Sequence, residues 1–404
     1  MSARKQKAPI SKMPDQIFEF ERVPLTLNFK ETLKNVETYG FSGSQGFVWL
    51  EGQLLRPVGR SSKTVVIFMH PATTLQLLPM PAALAKAGVH VICAGSRYAR
   101  NDSALIMEKV ARDMGEYIRH AKQDLGYEKV VLIGWSGGAS LSLFYQGEAE
   151  KPSITATPAG DPYDLCAAGL IPADGVIMIA AHASRARTLS EWIDPSVSDE
   201  FNPDNRVVDL DIYDPENPNK PPYSDDYIRQ FRDAQLARIR RITATVRDTL
   251  EVLQSRNSPE HERAFVVHRT MADLRWLDPQ VDANDRAAGQ CYLGVPEAAN
   301  VSPAGLARYS SLRSWLSQWS YDDSRADALV GAVKIAVPLL VVENSADDAA
   351  PASHPKLVYE AAPQTDRQYH LIKGATHYYQ GQPQLLAEAV GLVKSWMANK
   401  GLSE

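Results

Sequence analysis

Cysteine is scarce in this chain of 404 residues: Cys93, Cys166 and Cys291 are the only three, and they lie far apart. Three scattered thiols make no disulfide framework, and they lack the close spacing of a zinc site. Long apolar runs are missing as well. No stretch approaches the ~20 apolar residues that a membrane-spanning helix needs. The basic start Met1-Ser2-Ala3-Arg4-Lys5-Gln6-Lys7 is not followed by the apolar segment of a secretory signal. A cytoplasmic protein without a membrane partner is the expectation. Positive charge is not in excess either. With 43 Lys+Arg against 48 Asp+Glu the net charge is −5, which gives phosphate backbones nothing to bind and argues against a nucleic-acid partner. What remains is ordinary for a soluble enzyme: 44% hydrophobic and 23% charged residues. The length exceeds the roughly 150 to 250 residues of one compact domain, so an insertion or second lobe is expected.

Against that background one stretch stands out. Residues 130–138 read V-V-L-I-G-W-S-G-G. Val130 to Ile133 is a continuous apolar run of the kind found in a strand buried on both faces. Ala139-Ser140-Leu141-Ser142-Leu143-Phe144-Tyr145 can then begin a helix. A serine wedged between strand and helix occupies a strained turn, and the flanking glycines avoid collisions with neighbouring backbone. The pattern G-x-S-x-G (Gly134-Trp135-Ser136-Gly137-Gly138) therefore reads as a nucleophile presented at the C-terminal edge of a sheet. Alone it is short enough to arise by chance. A hydroxyl also needs a base, usually histidine, oriented by a carboxylate.

Both partners follow in the chain. Val337-Pro338-Leu339-Leu340-Val341-Val342 is a second buried-strand run, opening into Glu343-Asn344-Ser345-Ala346-Asp347-Asp348-Ala349-Ala350-Pro351. Tyr369-His370-Leu371-Ile372 reads as a short strand followed by Lys373-Gly374-Ala375-Thr376-His377. Of the nine histidines, His377 is best placed to be the base. His370 lies within a strand, whereas His70 and His182 follow apolar runs and so reach the same sheet edge, where they can line a pocket.

The order Ser136, Asp347, His377 resembles that of the α/β-hydrolase superfamily, and the loops at 344–351 and 374–377 resemble its acid and histidine loops. The resemblance covers residues 40–183 and 336–404. It implies that Asp347, four residues before the loop proline, is the acid in preference to Asp348. It also implies an oxyanion hole made of the Gly137 N–H and a second N–H from His70-Pro71-Ala72-Thr73-Thr74. Relatives have His-Gly where this chain has His-Pro; their donor maps to Ala72, with Thr73 the alternative. No metal or organic cofactor is implied.

The remaining runs at 47–55, 64–69, 89–93 and 175–181 read as strands, the first antiparallel and the others parallel. A helix between Asp102 and Gly126, capped by Asp102 or Ser103, and a final helix through Leu386, Ala389, Val390, Val393 and Met397 alternate with them. The pattern predicts an α/β fold: a doubly wound, mostly parallel sheet with a large, mainly helical lid inserted after the sixth strand, the run Val176 to Ala181. Residues 1–35 read as an arm, 36–183 and 336–404 as the two parts of the core, and 184–335 as the lid. Within the lid, a proline-rich irregular stretch (203–222) precedes a long helix over 225–255 with Ile239, Ile242, Val246, Leu250 and Leu253 on one face. Arg229, Arg232, Arg240 and Arg247 fit a solvated face interleaved with acids. Trp315 and Trp319, four apart, share a helical face; they can anchor the lid or roof the pocket.

The combined expectation is a serine hydrolase cleaving a carboxylic ester or lactone of a mostly apolar or aromatic small molecule. Ser136, Asp347 and His377 are catalytic, Gly137 and Ala72 form the oxyanion hole, and His70, Thr73, Trp135, His182, Trp315 and Trp319 border the substrate. The same triad could cleave amides or carbon–carbon bonds, and a ligand receptor that has kept the fold without the activity is the alternative from another class. Residue spacing leaves substrate identity and oligomeric state open.

Overall fold

The computed structural model describes residues 16–31, 46–256, 260–303, 305–363 and 366–403. Its elements run β1 (Phe20–Lys30), β2 (Phe47–Pro57), β3 (Thr64–His70), α1 (Pro79–Lys86), β4 (His90–Gly95), α2 (Met107–Gln123), β5 (Lys129–Ser136), α3 (Gly137–Glu150) and β6 (Gly175–Ala181). The insertion follows, with α4 (Arg185–Trp192), α5 (Asp225–Ser255), β7 (Ala264–Val266), α6 (Leu274–Leu277), α7 (Pro296–Val301), β8 (Tyr309–Ser311) and α8 (Leu312–Gln318). The chain closes with α9 (Ala328–Lys334), β9 (Leu339–Asn344), α10 (Ser353–Ala361), β10 (Arg367–Ile372) and α11 (Pro383–Asn399).

Eight strands form one sheet in the order β1-β2-β4-β3-β5-β6-β9-β10. The β1–β2 and β2–β4 pairs are antiparallel and the rest are parallel. Every residue of β3, β4, β6 and β9 is buried, as continuous apolar strands covered on both faces require. One face packs against α1 and α11 through Leu84, Val390, Val393 and Trp396. The other packs against α2 and α3, with Val110, Met114, Leu141 and Leu143 in its core. Helix α9 lies across α3 so closely that a Cβ on Gly331 would come within 2.3 Å of the Leu143 carbonyl oxygen.

The arm read over residues 1–35 lies partly outside the described residues, but β1 occupies 20–30 as an edge strand on β2. Val23, Leu25, Leu27 and Phe29 alternate toward the core while charged and polar residues face out, a period of two masked by the surrounding charge. Helix α2 begins at Met107, later than the expected caps, and Ile106 at its N-cap offers no side chain. Asp102 is engaged elsewhere, accepting from Arg185 Nη2 (2.5 Å) and the Ala307 N–H (2.8 Å). The open N-terminus of α2 is met instead from the insertion, where Ser317 Oγ lies 2.8 Å from the Met107 N–H and accepts it.

The insertion has its own core. Ile239, Ile242, Val246, Leu250 and Leu253 of α5 pack against Trp192, Trp276, Trp315 and Trp319. Arg240 and Arg247 pair with Asp322 and Asp323 on the surface, and Arg229 pairs with Asp226. Arg232 is more enclosed and bonds Asp273 at 2.8 Å. Among the described residues no helix is long and apolar enough to cross a membrane.

Candidate active site

The strand β5 ends in a serine held at φ +56° and ψ −128°, a conformation that side-chain-bearing residues rarely adopt and that costs on the order of 1–3 kcal/mol. The surrounding glycines explain how the turn tolerates it. A Cβ on Gly134 would come within 2.3 Å of the Ala139 Cα, and one on Gly138 within 2.2 Å of the Met69 carbonyl oxygen. Helix α3 starts at once with Gly137, so first-turn N–H groups without intrahelical partners lie beside the Ser136 side chain. The pairing of β5 with β6 skips at this point: Trp135 pairs with Ile179 and Ser136 with Ala181. The skipped Ala180 takes φ +49°, and His182 follows at the same edge, its N–H donating to the Ser136 carbonyl (3.4 Å).

Asp347 and His377 come from the loops after β9 and β10. His377 Nδ1 lies 2.9 Å from each carboxylate oxygen of Asp347. Asp347 Oδ1 also accepts the N–H groups of Ala349 (2.8 Å) and Ala350 (2.7 Å). Three donors hold this one buried carboxylate in a fixed orientation. The Trp135 Nε1–H donates to the His377 carbonyl (3.0 Å), and the two rings lie 4.6 Å apart. With Nδ1 on the acid and its carbonyl on Trp135, His377 keeps Nε2 for a third group. The insertion grips the same acid loop: Trp276 Nε1–H donates to the Asp348 carbonyl (2.8 Å) and Asn284 Nδ2–H to that of Asp347 (2.9 Å). Burial and the neighbouring Asp347 raise the Asp348 carboxyl above its ordinary value.

Ser136 and Gly137 open onto a small cavity shared with His70, His182, Arg185 and Trp192. It has about 20 Å³ of free space, enough for roughly one water. Two larger depressions, of about 440 and 590 Å³, lie elsewhere and contain none of Ser136, Asp347 or His377. His70 and His182 are both buried against the site. Burial, then the Arg185 and His377 charges, pushes His70 down to about 3. Burial, then His354, His377 and His70, holds His182 well below its ordinary value. Both rings are therefore neutral at physiological pH. His182 Nδ1 sits 3.0 Å from Thr188 Oγ1 and its ring meets Trp192 edge-on at 5.8 Å. Among the described residues no group of His, Cys, Asp and Glu is arranged to hold a metal ion.

The structure thus gathers Ser136, Gly137, His70, His182, Trp135, Asp347 and His377 at one sheet edge. Trp315 and Trp319 are elsewhere, stacked 5.2 Å apart and fully buried in the insertion's own core. Their four-residue spacing faces α5 because apolar partners lie there: Trp315 Nε1–H donates to Thr243 Oγ1 (2.9 Å). Thr73 is not among the cavity's walls, and the Ala72 N–H donates to His70 Nδ1 (3.2 Å) rather than into the cavity. Sequence reasoning passed over Arg185, Thr188 and Leu306, which border the cavity. A signal existed for the first two: α4 starts four residues after β6 ends, so its first turn must lie at the sheet edge.

No family model matches the chain, and no curated protein matches its sequence. Solved structures do. The siderophore hydrolase EstB from Aspergillus fumigatus is 14% identical, with 87% of this chain and 94% of that one covered, at a TM-score of 0.51. Est1E from Butyrivibrio proteoclasticus is 13% identical (87% and 95% covered, TM-score 0.43). Brefeldin A esterase, described as a bacterial homologue of human hormone sensitive lipase, is 12% identical (99% and 80% covered, TM-score 0.43). Such low identities speak to architecture and not to activity. With its mixed, mostly parallel eight-stranded sheet and the helical insertion after β6, this chain has the α/β-hydrolase fold.

Proposed function

We propose that the protein is a serine hydrolase of carboxylic esters or lactones, acting through an acyl-enzyme. The observation that carries this reading is the strained Ser136 at the β5–α3 turn, at the same sheet edge as the buried Asp347–His377 pair. Ser136 Oγ attacks the carbonyl carbon and gives its proton to His377 Nε2, while the carbonyl π pair moves onto oxygen. Asp347 keeps the imidazole in the tautomer that leaves Nε2 open and stabilises the imidazolium. Collapse of the tetrahedral species expels the alkoxide, which takes the proton from His377; water then repeats the sequence on the acyl-enzyme. A binding protein would have no use for a strained serine with a buried base and acid beside it.

Trp192, Leu189 and Leu306 give the cavity an apolar roof, which supports a mostly apolar acyl or alcohol group. A drug-sized ligand takes roughly 300 Å³ or more, so the insertion moves outward to admit substrate. A panel of p-nitrophenyl esters tests the reading: wild-type protein should turn over at least one member and Ser136→Ala none. Saturable binding without turnover would replace the hydrolase with a receptor.

A further inference from the structure

The acid, base and nucleophile leave one component unassigned, the second donor that faces the developing oxyanion. The loop after β3 is where a backbone N–H would be sought. Pro71 has none, and the N–H of Ala72 is already committed to His70 Nδ1 at 3.2 Å. That hydrogen bond has a consequence for the imidazole itself. A ring nitrogen that accepts an N–H carries no proton, so a neutral His70 must hold its single proton on Nε2. Nε2 points at the nucleophile's turn: a Cβ on Gly137 would come within 3.0 Å of it. Gly137 is the residue whose own N–H is the first oxyanion donor, and His70 and Ser136 wall the same cavity.

We infer that the His70 Nε2–H is the second oxyanion donor, a side chain doing the work expected of a backbone amide in the 71–73 loop. The Ala72 N–H then acts at one remove, locking the imidazole tautomer so that the donor faces the site. The ring stays neutral because it is buried beside Arg185, so it donates a hydrogen bond without being able to take the serine's proton. This also divides labour between two histidines of one sheet edge: His377, backed by a carboxylate, moves protons, and His70, backed by an N–H, does not. The inference rests on the serine-hydrolase reading and extends it to a residue that reading does not need.

Two substitutions separate a donor from a loop staple. Asn at position 70 places its amide near the Nδ1 position, where it can accept the Ala72 N–H but cannot reach the oxyanion. Gln reaches the Nε2 position with an N–H. Using p-nitrophenyl acetate, His70→Asn should lower kcat by about 10²- to 10³-fold and His70→Gln by no more than about tenfold. KM should change by less than about threefold in both. The reverse ranking, equal losses, or wild-type rates in both would overturn the assignment. In the unsubstituted protein, imidazole ¹⁵N spectra between about pH 5 and 8 should show His70 protonated at Nε2 and bare at Nδ1; the opposite tautomer or a doubly protonated ring would overturn it regardless of how the variants fold. Fluorophosphonate labelling of Ser136 keeps the two levels distinct. Labelled Ser136 with an indifferent position 70 sinks this inference alone, whereas unlabelled Ser136 sinks the hydrolase reading.

Discussion

Ser136 ends β5, and Asp347 and His377 lie in the loops after β9 and β10, each within a short local pattern: a serine among glycines after an apolar run, and two loops after two further runs. What no local pattern carries is which atoms each side chain meets. Asp347 is distinguished from Asp348 by three hydrogen bonds, two from backbone N–H groups and one from His377, whereas the Asp348 backbone is held by Trp276. Asp347→Asn should therefore leave His377 in the wrong tautomer and lower kcat by about 10⁴-fold. Asp348→Asn should cost far less. Steady-state kinetics on one p-nitrophenyl ester checks both, and the larger loss at Asp348 would reassign the acid. The donor role of His70 belongs to the same scale, since its evidence is a tautomer set by a residue two positions along the chain.

Elements with strong periodicity came through closely. The long helix expected over 225–255 is α5, Asp225–Ser255, because its apolar stripe is uninterrupted and Ser224 accepts the Tyr227 N–H at its start (3.2 Å). Strand β1 did not, since its outward face is so charged that the inward alternation of Val23, Leu25, Leu27 and Phe29 is hard to see without a partner strand. The late start of α2 is a tertiary effect, its cap supplied by Ser317 from more than 200 residues away. Packing between elements is also invisible in one dimension, as α9 on α3 shows. Gly331→Ala puts a methyl 2.3 Å from the Leu143 carbonyl oxygen, and backbone cannot swing aside as a side chain can. Denaturant unfolding should register a loss of about 1–3 kcal/mol, with kcat per folded molecule unchanged. An unaltered midpoint would mean that the two helices are not held as described. Arg97 poses a larger test. It pairs with Glu31 and Asp113 at 2.7 Å each, all three buried, and Arg97→Ala should cost about 3–5 kcal/mol by leaving two carboxylates without their cation.

At the scale of the whole molecule, the insertion and the core are joined around a buried acid. Glu108 on α2 accepts from Ser317 Oγ of α8 (3.3 Å), and its other oxygen is buried without a partner. Burial pushes this carboxyl from an ordinary 4.5 up to about 7, so the folded protein keeps the proton over a range where the unfolded chain releases it. The resulting stability is complete below about pH 4.5, declines as pH rises through 7, and is on the order of 3 kcal/mol in full. Glu108→Gln should remove that decline between pH 5 and 8 in urea titrations; an identical slope in wild type and variant would show that Glu108 is ionised in the fold. Residues of the insertion also border the cavity at Ser136, which has about 20 Å³ of free space, so under the proposed reading a small probe should react before a bulky one. The most direct measurement of the central claim is to treat the protein with a small alkyl fluorophosphonate and map the adduct by mass spectrometry. A single adduct on Ser136, lost in Ser136→Ala and slowed in His377→Ala, is the predicted result, and an adduct on any other serine, or none while the protein remains folded, would contradict it.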